Sequence, residues 1–102
     1  MNLKPGSRWK SAVCSAEIVI VRPPKSEGEL QCGGAAMVAF NEEKPQGLAL
    51  SADHASGVHT GKRYVDDATG LEALASKAGE GSLSMDGRPL SLKETKALPA
   101  SD

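Results

Sequence analysis

Aromatic side chains are scarce: Trp9, Phe40 and Tyr64 are the only ones in 102 residues. A core must therefore be built from Val, Leu, Ile, Ala and Met, and no platform exists on which successive nucleic-acid bases would stack. Charge of one sign is lacking too. Twelve basic side chains stand against thirteen acidic ones, interspersed to a net of −1, so no basic stripe points to nucleic acid. Hydrophobic runs are short. Ile18 to Val21 and Ala35 to Phe40 are strand-sized and fall far below the roughly 20 residues of a membrane-spanning helix. The opening MNLKPGSRWK carries charge without the hydrophobic region of a signal peptide. The expectation is a cytoplasmic protein with neither nucleic acid nor membrane as partner. No nucleophile elbow, paired-carboxylate spacing or phosphate-cradling glycine loop occurs, which leans against an enzyme. Glu27-Gly28-Glu29 and Glu42-Glu43 lack the regular oxygen spacing of a calcium loop.

What the chain does have is punctuation typical of short strands. At this length a single domain spanning residues 1–102 is expected. Residues 1–7, with Pro5 and Gly6, read as a flexible lead-in. Arg8 to Val21, with its β-branched run, reads as a strand covered on both faces and ended by Pro23 and Pro24. Glu29 to Cys32 reads as the return strand of a β-hairpin, and Ala35 to Phe40 as a further strand. Asn41 to Gly47 is a charged turn, Gly47 to Ser51 a weaker strand, and Ala52 to Gly61 a loop carrying both histidines. Arg63 to Val65 and Leu71 to Ser76 flank the turn-like DDATG. Leu, Glu, Ala and Lys give Leu71 to Ala78 a competing helical reading. Ser82 to Met85 and Arg88 to Leu92 flank Asp86-Gly87, the sequence of a type I′ hairpin turn. LKETKALPASD closes the chain as a surface tail.

An internal repeat organises these pieces. Residues 8–37 align with residues 63–90 once Lys25 and Ser26 are treated as an insertion. Arg8 then falls on Arg63, Glu17 on Glu72, Glu27 on Glu80, Gly28 on Gly81, Leu30 on Leu83 and Gly34 on Gly87. Trp9 meets Tyr64, Val19 meets Leu74, Arg22 meets Lys77 and Met37 meets Leu90. The expected architecture is mainly β: two β-hairpin units related by a pseudo-twofold axis, joined by residues 38–62 and followed by a tail over 91–102. Each unit is too small to bury a face alone, so the two must share one core.

Trp9-Lys10-Ser11-Ala12-Val13-Cys14-Ser15 and Leu30-Gln31-Cys32-Gly33-Gly34-Ala35-Ala36-Met37 together resemble the desulforedoxin-type metal-binding domain, also found at the N-terminus of desulfoferrodoxins. That family sets an aromatic ahead of Cys-x-x-Cys-Gly, then a Val/Ile-rich strand, a turn and Cys-Cys-Gly-x-Pro-Met. The resemblance implies that Cys14 and Cys32 sit close together at two of four thiolate positions. Ser11 and Gly33 replace the other two. In the second unit the corresponding residues are Asp66, Thr69, Met85 and Asp86. Family members pair as homodimers of short chains, so a fused duplicate would be a single-chain version of that dimer.

A tetrahedral iron or zinc site needs four strong donors, and serine and glycine do not supply them. The leading expectation is a noncatalytic β module that binds a partner protein or another copy of itself, with no cofactor. An alternative is a zinc- or iron-binding or redox protein using Cys14 and Cys32, with His54 and His59 completing a metal set, imidazole and thiolate being zinc's preferred donors. Another has a small enzyme using the His54/His59 loop for acid–base or nucleophilic chemistry, with Asp53, Asp66 or Asp67 or with either cysteine.

Overall fold

Ile18-Val19-Ile20-Val21 is a run of residues stiff at χ1, which suits extended backbone, and it lies in a strand. The computed structural model describes residues 1–93. Among them are β1 (Arg8–Lys10), β2 (Glu17–Arg22), β3 (Leu30–Cys32), β4 (Ala35–Ala36) and β5 (Val38–Ala39). After a 3-10 turn at Ala52–His54 come β6 (Arg63–Asp66), β7 (Leu71–Lys77), β8 (Leu83–Met85), β9 (Arg88–Pro89) and β10 (Ser91–Leu92). They form a compact all-β domain of two antiparallel sheets, one of six strands in the order β10-β6-β7-β2-β1-β5 and one of four in the order β4-β3-β8-β9. No α-helix occurs among the described residues.

Both strand orders are unchanged when β1 to β5 are exchanged for β6 to β10. The registers behave the same way. In β2–β7, Val19 faces Leu74, flanked by Ile18 opposite Ala75 and Ile20 opposite Ala73, then by Glu17 opposite Lys77 and Arg22 opposite Glu72. In β3–β8, Gln31 faces Ser84 between Leu30 opposite Met85 and Cys32 opposite Leu83. Replacing every residue by its counterpart in the sequence alignment maps each ladder onto itself.

Leu71, Ala73 and Ala75 are buried in the apolar core, whereas between them Glu72 is covered by Arg63 and Lys93 and Leu74 is half-buried. This alternation is the period of a strand with one face on the core, and it overrides the helical preference of the segment. Ile18 and Ile20 do the same in β2. Leu30, Cys32, Leu83 and Met85 from the smaller sheet complete a single buried cluster with them, so the core draws on both halves of the chain.

Several expectations need correction. Arg8 to Val21 is not one strand: residues 11–16 form a loop between β1 and β2. Nor is β2 covered on both faces, because Val21 is exposed. Glu29 to Cys32 does not return against β2, since β3 lies in the other sheet. The Ala35 to Phe40 segment and the strand after Asp86-Gly87 each break in two, at Met37 and Leu90, where the backbone leaves the small sheet for the large one. Gly47 to Ser51 forms no strand. The lead-in is packed: Leu3 is buried, the Gly6 amide donates to the Ile20 carbonyl at 2.7 Å, and the Ile20 amide donates to the Ser7 carbonyl at 2.9 Å. The expected surface tail falls mostly on residues 94–102, outside the described residues.

Asp86 and Gly87 adopt φ of 49° and 82°, as a type I′ turn requires. Gly33 and Gly34, at the corresponding place between β3 and β4, have φ of 66° and 85°.

Candidate functional site

Cys14 ends up beside Cys32 because of how two local elements are built. Ser11 is fully buried, and its Oγ accepts hydrogen bonds from the Val13 and Cys14 amides, both at 3.1 Å. This side-chain turn curls residues 11–14 over the small sheet. Cys32 points into the core from β3 and is completely buried, while Cys14 is half-buried. Their sulfurs stand 3.8 Å apart and are not bonded.

The far wall of this site comes from the second half of the chain. The Gly81 amide donates to Cys14 Sγ at 3.4 Å. A Cβ on Gly81 would lie 3.1 Å from Cys32 Sγ and 2.8 Å from the Gly33 amide nitrogen, and one on Gly79 would lie 2.8 Å from Cys14 Sγ and run into the Ala16 nitrogen. Neither glycine has positive φ. Close approach of the two halves, and not positive-φ turn geometry, is what requires them.

The two thiols differ in acidity. Burial pushes the Cys14 thiol up, but hydrogen bonds from the Ser11 hydroxyl, the Ala16 and Gly81 backbone and Cys32 outweigh it and leave Cys14 below the ordinary thiol range. Burial together with the neighbouring Cys14 charge pushes Cys32 up to about 12, against the lowering effect of Ser11. Of the two thiols, Cys32 therefore holds its proton the more firmly.

The matching place in the second unit is built around an ion pair between Asp66 and Arg88. Asp66 and Thr69, buried at the positions of Ser11 and Cys14, are joined by the Thr69 hydroxyl donating to Asp66 Oδ2 at 2.7 Å. The Arg88 guanidinium donates to the same oxygen at 2.9 Å. Burial pushes the Asp66 carboxyl up, but the hydrogen bonds from Arg88 and Thr69 and the Arg88 charge hold it below its usual range. Met85, opposite Cys32 in the alignment, is wholly buried in the core. Asp86 turns away to accept the Glu29 amide at 2.8 Å.

His54 and His59 do not join the thiols in a metal-binding set. Among the described residues, no group of three or more His, Cys, Asp or Glu side chains is arranged to hold a metal ion. The His54 ring lies against Gly34, where a Cβ would be 3.3 Å from its Cδ2, and it borders a pocket of about 220 Å³ with Tyr64, Leu83 and Leu92. His59 is exposed, and its amide donates to the Tyr64 hydroxyl at 2.9 Å. The donor set also fails a test for the four-thiolate metal of the desulforedoxin type. Ser11 Oγ is already engaged by two amides, Gly33 offers no side chain, and the remaining two sulfurs are half of what a closed tetrahedral site needs.

A second buried acid, Glu72, was not singled out by sequence reasoning. It takes Arg63 at 3.0 Å and Lys93 at 2.9 Å. Hydrogen bonds from Lys93 and then Arg63 hold its carboxyl below the usual range in spite of burial. Its alignment with Glu17 was the only signal, and that residue is only half-buried.

No protein-family model, curated protein or solved structure matches the chain.

Proposed function

We propose that the chain is a noncatalytic β module of the cytoplasm that binds or stabilises a partner protein. Its scaffold is two pseudo-twofold-related units resembling the desulforedoxin type, fused into one chain and released from the metal. The observation that carries this reading is the fate of the two equivalent sites. One keeps only Cys14 and Cys32, and the other neutralises Asp66 with Arg88 in place of any metal. The self-mapping registers of β2–β7 and β3–β8 support the fusion.

A sheet edge provides the means of binding. β5 lies at one end of the six-stranded sheet. Trp9 faces Ala39 and the Phe40 amide bonds back to Arg8 at 3.0 Å, so in an antiparallel ladder the Ala39 amide faces away from β1. An extended segment of a partner would add there through main-chain hydrogen bonds.

Two measurements on the full chain test the reading. Purified in reducing buffer and titrated with cobalt(II), the protein should give no thiolate-to-cobalt charge-transfer band. A stoichiometric tetrahedral band would overturn loss of the metal. A partner recovered stoichiometrically from native cells should be lost from an Ala39→Pro variant that still folds, since proline removes the outward donor and is tolerated on edges. Recovery of no stoichiometric partner, or equal recovery by the variant, would overturn edge binding.

A further inference from the structure

The two sulfurs are 3.8 Å apart with no bond between them, and a disulfide places them about 2.05 Å apart. Rotation of the half-buried Cys14 side chain toward the fixed, fully buried Cys32 would close much of that gap. The chain contains no other cysteine, so each has one intramolecular partner. Access is unequal: Cys14 is half-buried and open to a reagent arriving from solvent, whereas Cys32 is completely buried. On the side of the second unit the backbone of Gly79 and Gly81 packs directly against the sulfurs, and the Gly81 amide donates to Cys14 Sγ.

We propose that Cys14 and Cys32 form a thiol–disulfide exchange site that accepts small organic disulfides, with Cys14 as the attacking thiol and Cys32 as the resolving one. Cys14 gives its proton to water and attacks one sulfur of the disulfide RSSR. The RS–SR bond breaks, a Cys14–SR bond forms, and RS⁻ leaves to take up a proton. Cys32 then attacks Cys14 Sγ, forming the protein disulfide and expelling the second RS⁻, which takes the proton that Cys32 gives up. Two electrons pass from the protein dithiol to RSSR, giving one protein disulfide and two RSH. This chemistry needs neither the partner nor the edge, so it stands or falls separately from the binding reading.

The test uses the full chain, reduced and freed of metal by a chelator, with glutathione disulfide as the probe and intact mass as the readout. The wild type should lose two hydrogen atoms, retain no adduct, stay monomeric and recover its mass with dithiothreitol. Cys32→Ser should stop at one glutathione bound to Cys14, and Cys14→Ser should form no internal bond and react more slowly. Should either variant fail to fold, the wild-type mass alone decides. A wild type that keeps both thiols, retains glutathione or forms a covalent dimer would overturn the proposal.

Discussion

At the scale of single residues, the glycines that matter most are those without unusual backbone angles. Gly28 and Gly81 occupy equivalent places, and each packs against the other unit's β-turn. A Cβ on Gly28 would meet Asp86 Oδ2 and Met85 Cε, the ends of side chains that can swing aside. A Cβ on Gly81 would meet the Gly33 backbone at 2.8 and 2.9 Å, which cannot. Gly81→Ala should therefore cost about 1–3 kcal/mol, the usual range for overpacking, and Gly28→Ala clearly less. Paired denaturant melts check the order; equal costs would contradict the close approach. Asp66 makes a second residue-scale prediction. Its folded pKa is depressed, so its stabilisation is fully present above the unfolded value and is lost as pH falls through the folded one. Asp66→Asn should lower the Tm near pH 7 and lose that effect as acid protonates the wild-type carboxyl. A gap between the two proteins that persisted unchanged into acid would contradict the ion pair. In the sequence, Asp66 stood out as a residue lying where a metal ligand would be and as an acid–base candidate beside the histidine loop. Nothing marked Arg88 as the cation that meets it, because that contact spans 22 positions.

At the scale of elements, the central ladder sets large residues against small ones. Ile18 faces Ala75 and Ile20 faces Ala73, and all four are buried. In identical units isoleucine would face isoleucine at both places, so the alanines are where the second half departs to fit the first. Ile18→Ala alone should cost about 2–5 kcal/mol, and Ala75→Ile alone about 1–3 kcal/mol. The double variant should recover part of the sum, because the residues touch and their effects couple. Strictly additive losses in thermal or denaturant melts would contradict the ladder. The same alanines made this element ambiguous in the sequence, where Leu-Glu-Ala-Leu-Ala reads as helix by propensity. The hairpin turn at Asp86-Gly87 was legible because positive φ restricts which residues fit. The splitting of strands at Met37 and Leu90 was not, because a change of sheet leaves no mark in alternation.

At the scale of the whole molecule, the alignment of residues 8–37 with 63–90 carried more information than any strand assignment. It matches Val19 with Leu74 as equivalent residues, and the β2–β7 ladder sets that pair face to face at its centre. It did not reveal that each unit spreads over two sheets. The hairpins expected within a unit are local, whereas the contacts that place β3 against β8 depend on packing between units. Of the candidate site, the closeness of Cys14 and Cys32 was legible through the family resemblance. The separation of the histidines from them was not, since a loop's course is set by what it packs on. The measurement that tests this architecture most directly is a set of nuclear Overhauser contacts across the two central ladders. Cross-strand contacts should join Val19 to Leu74 and Gln31 to Ser84. Helical contacts within residues 71–77, or no contact across either pair, would contradict the account.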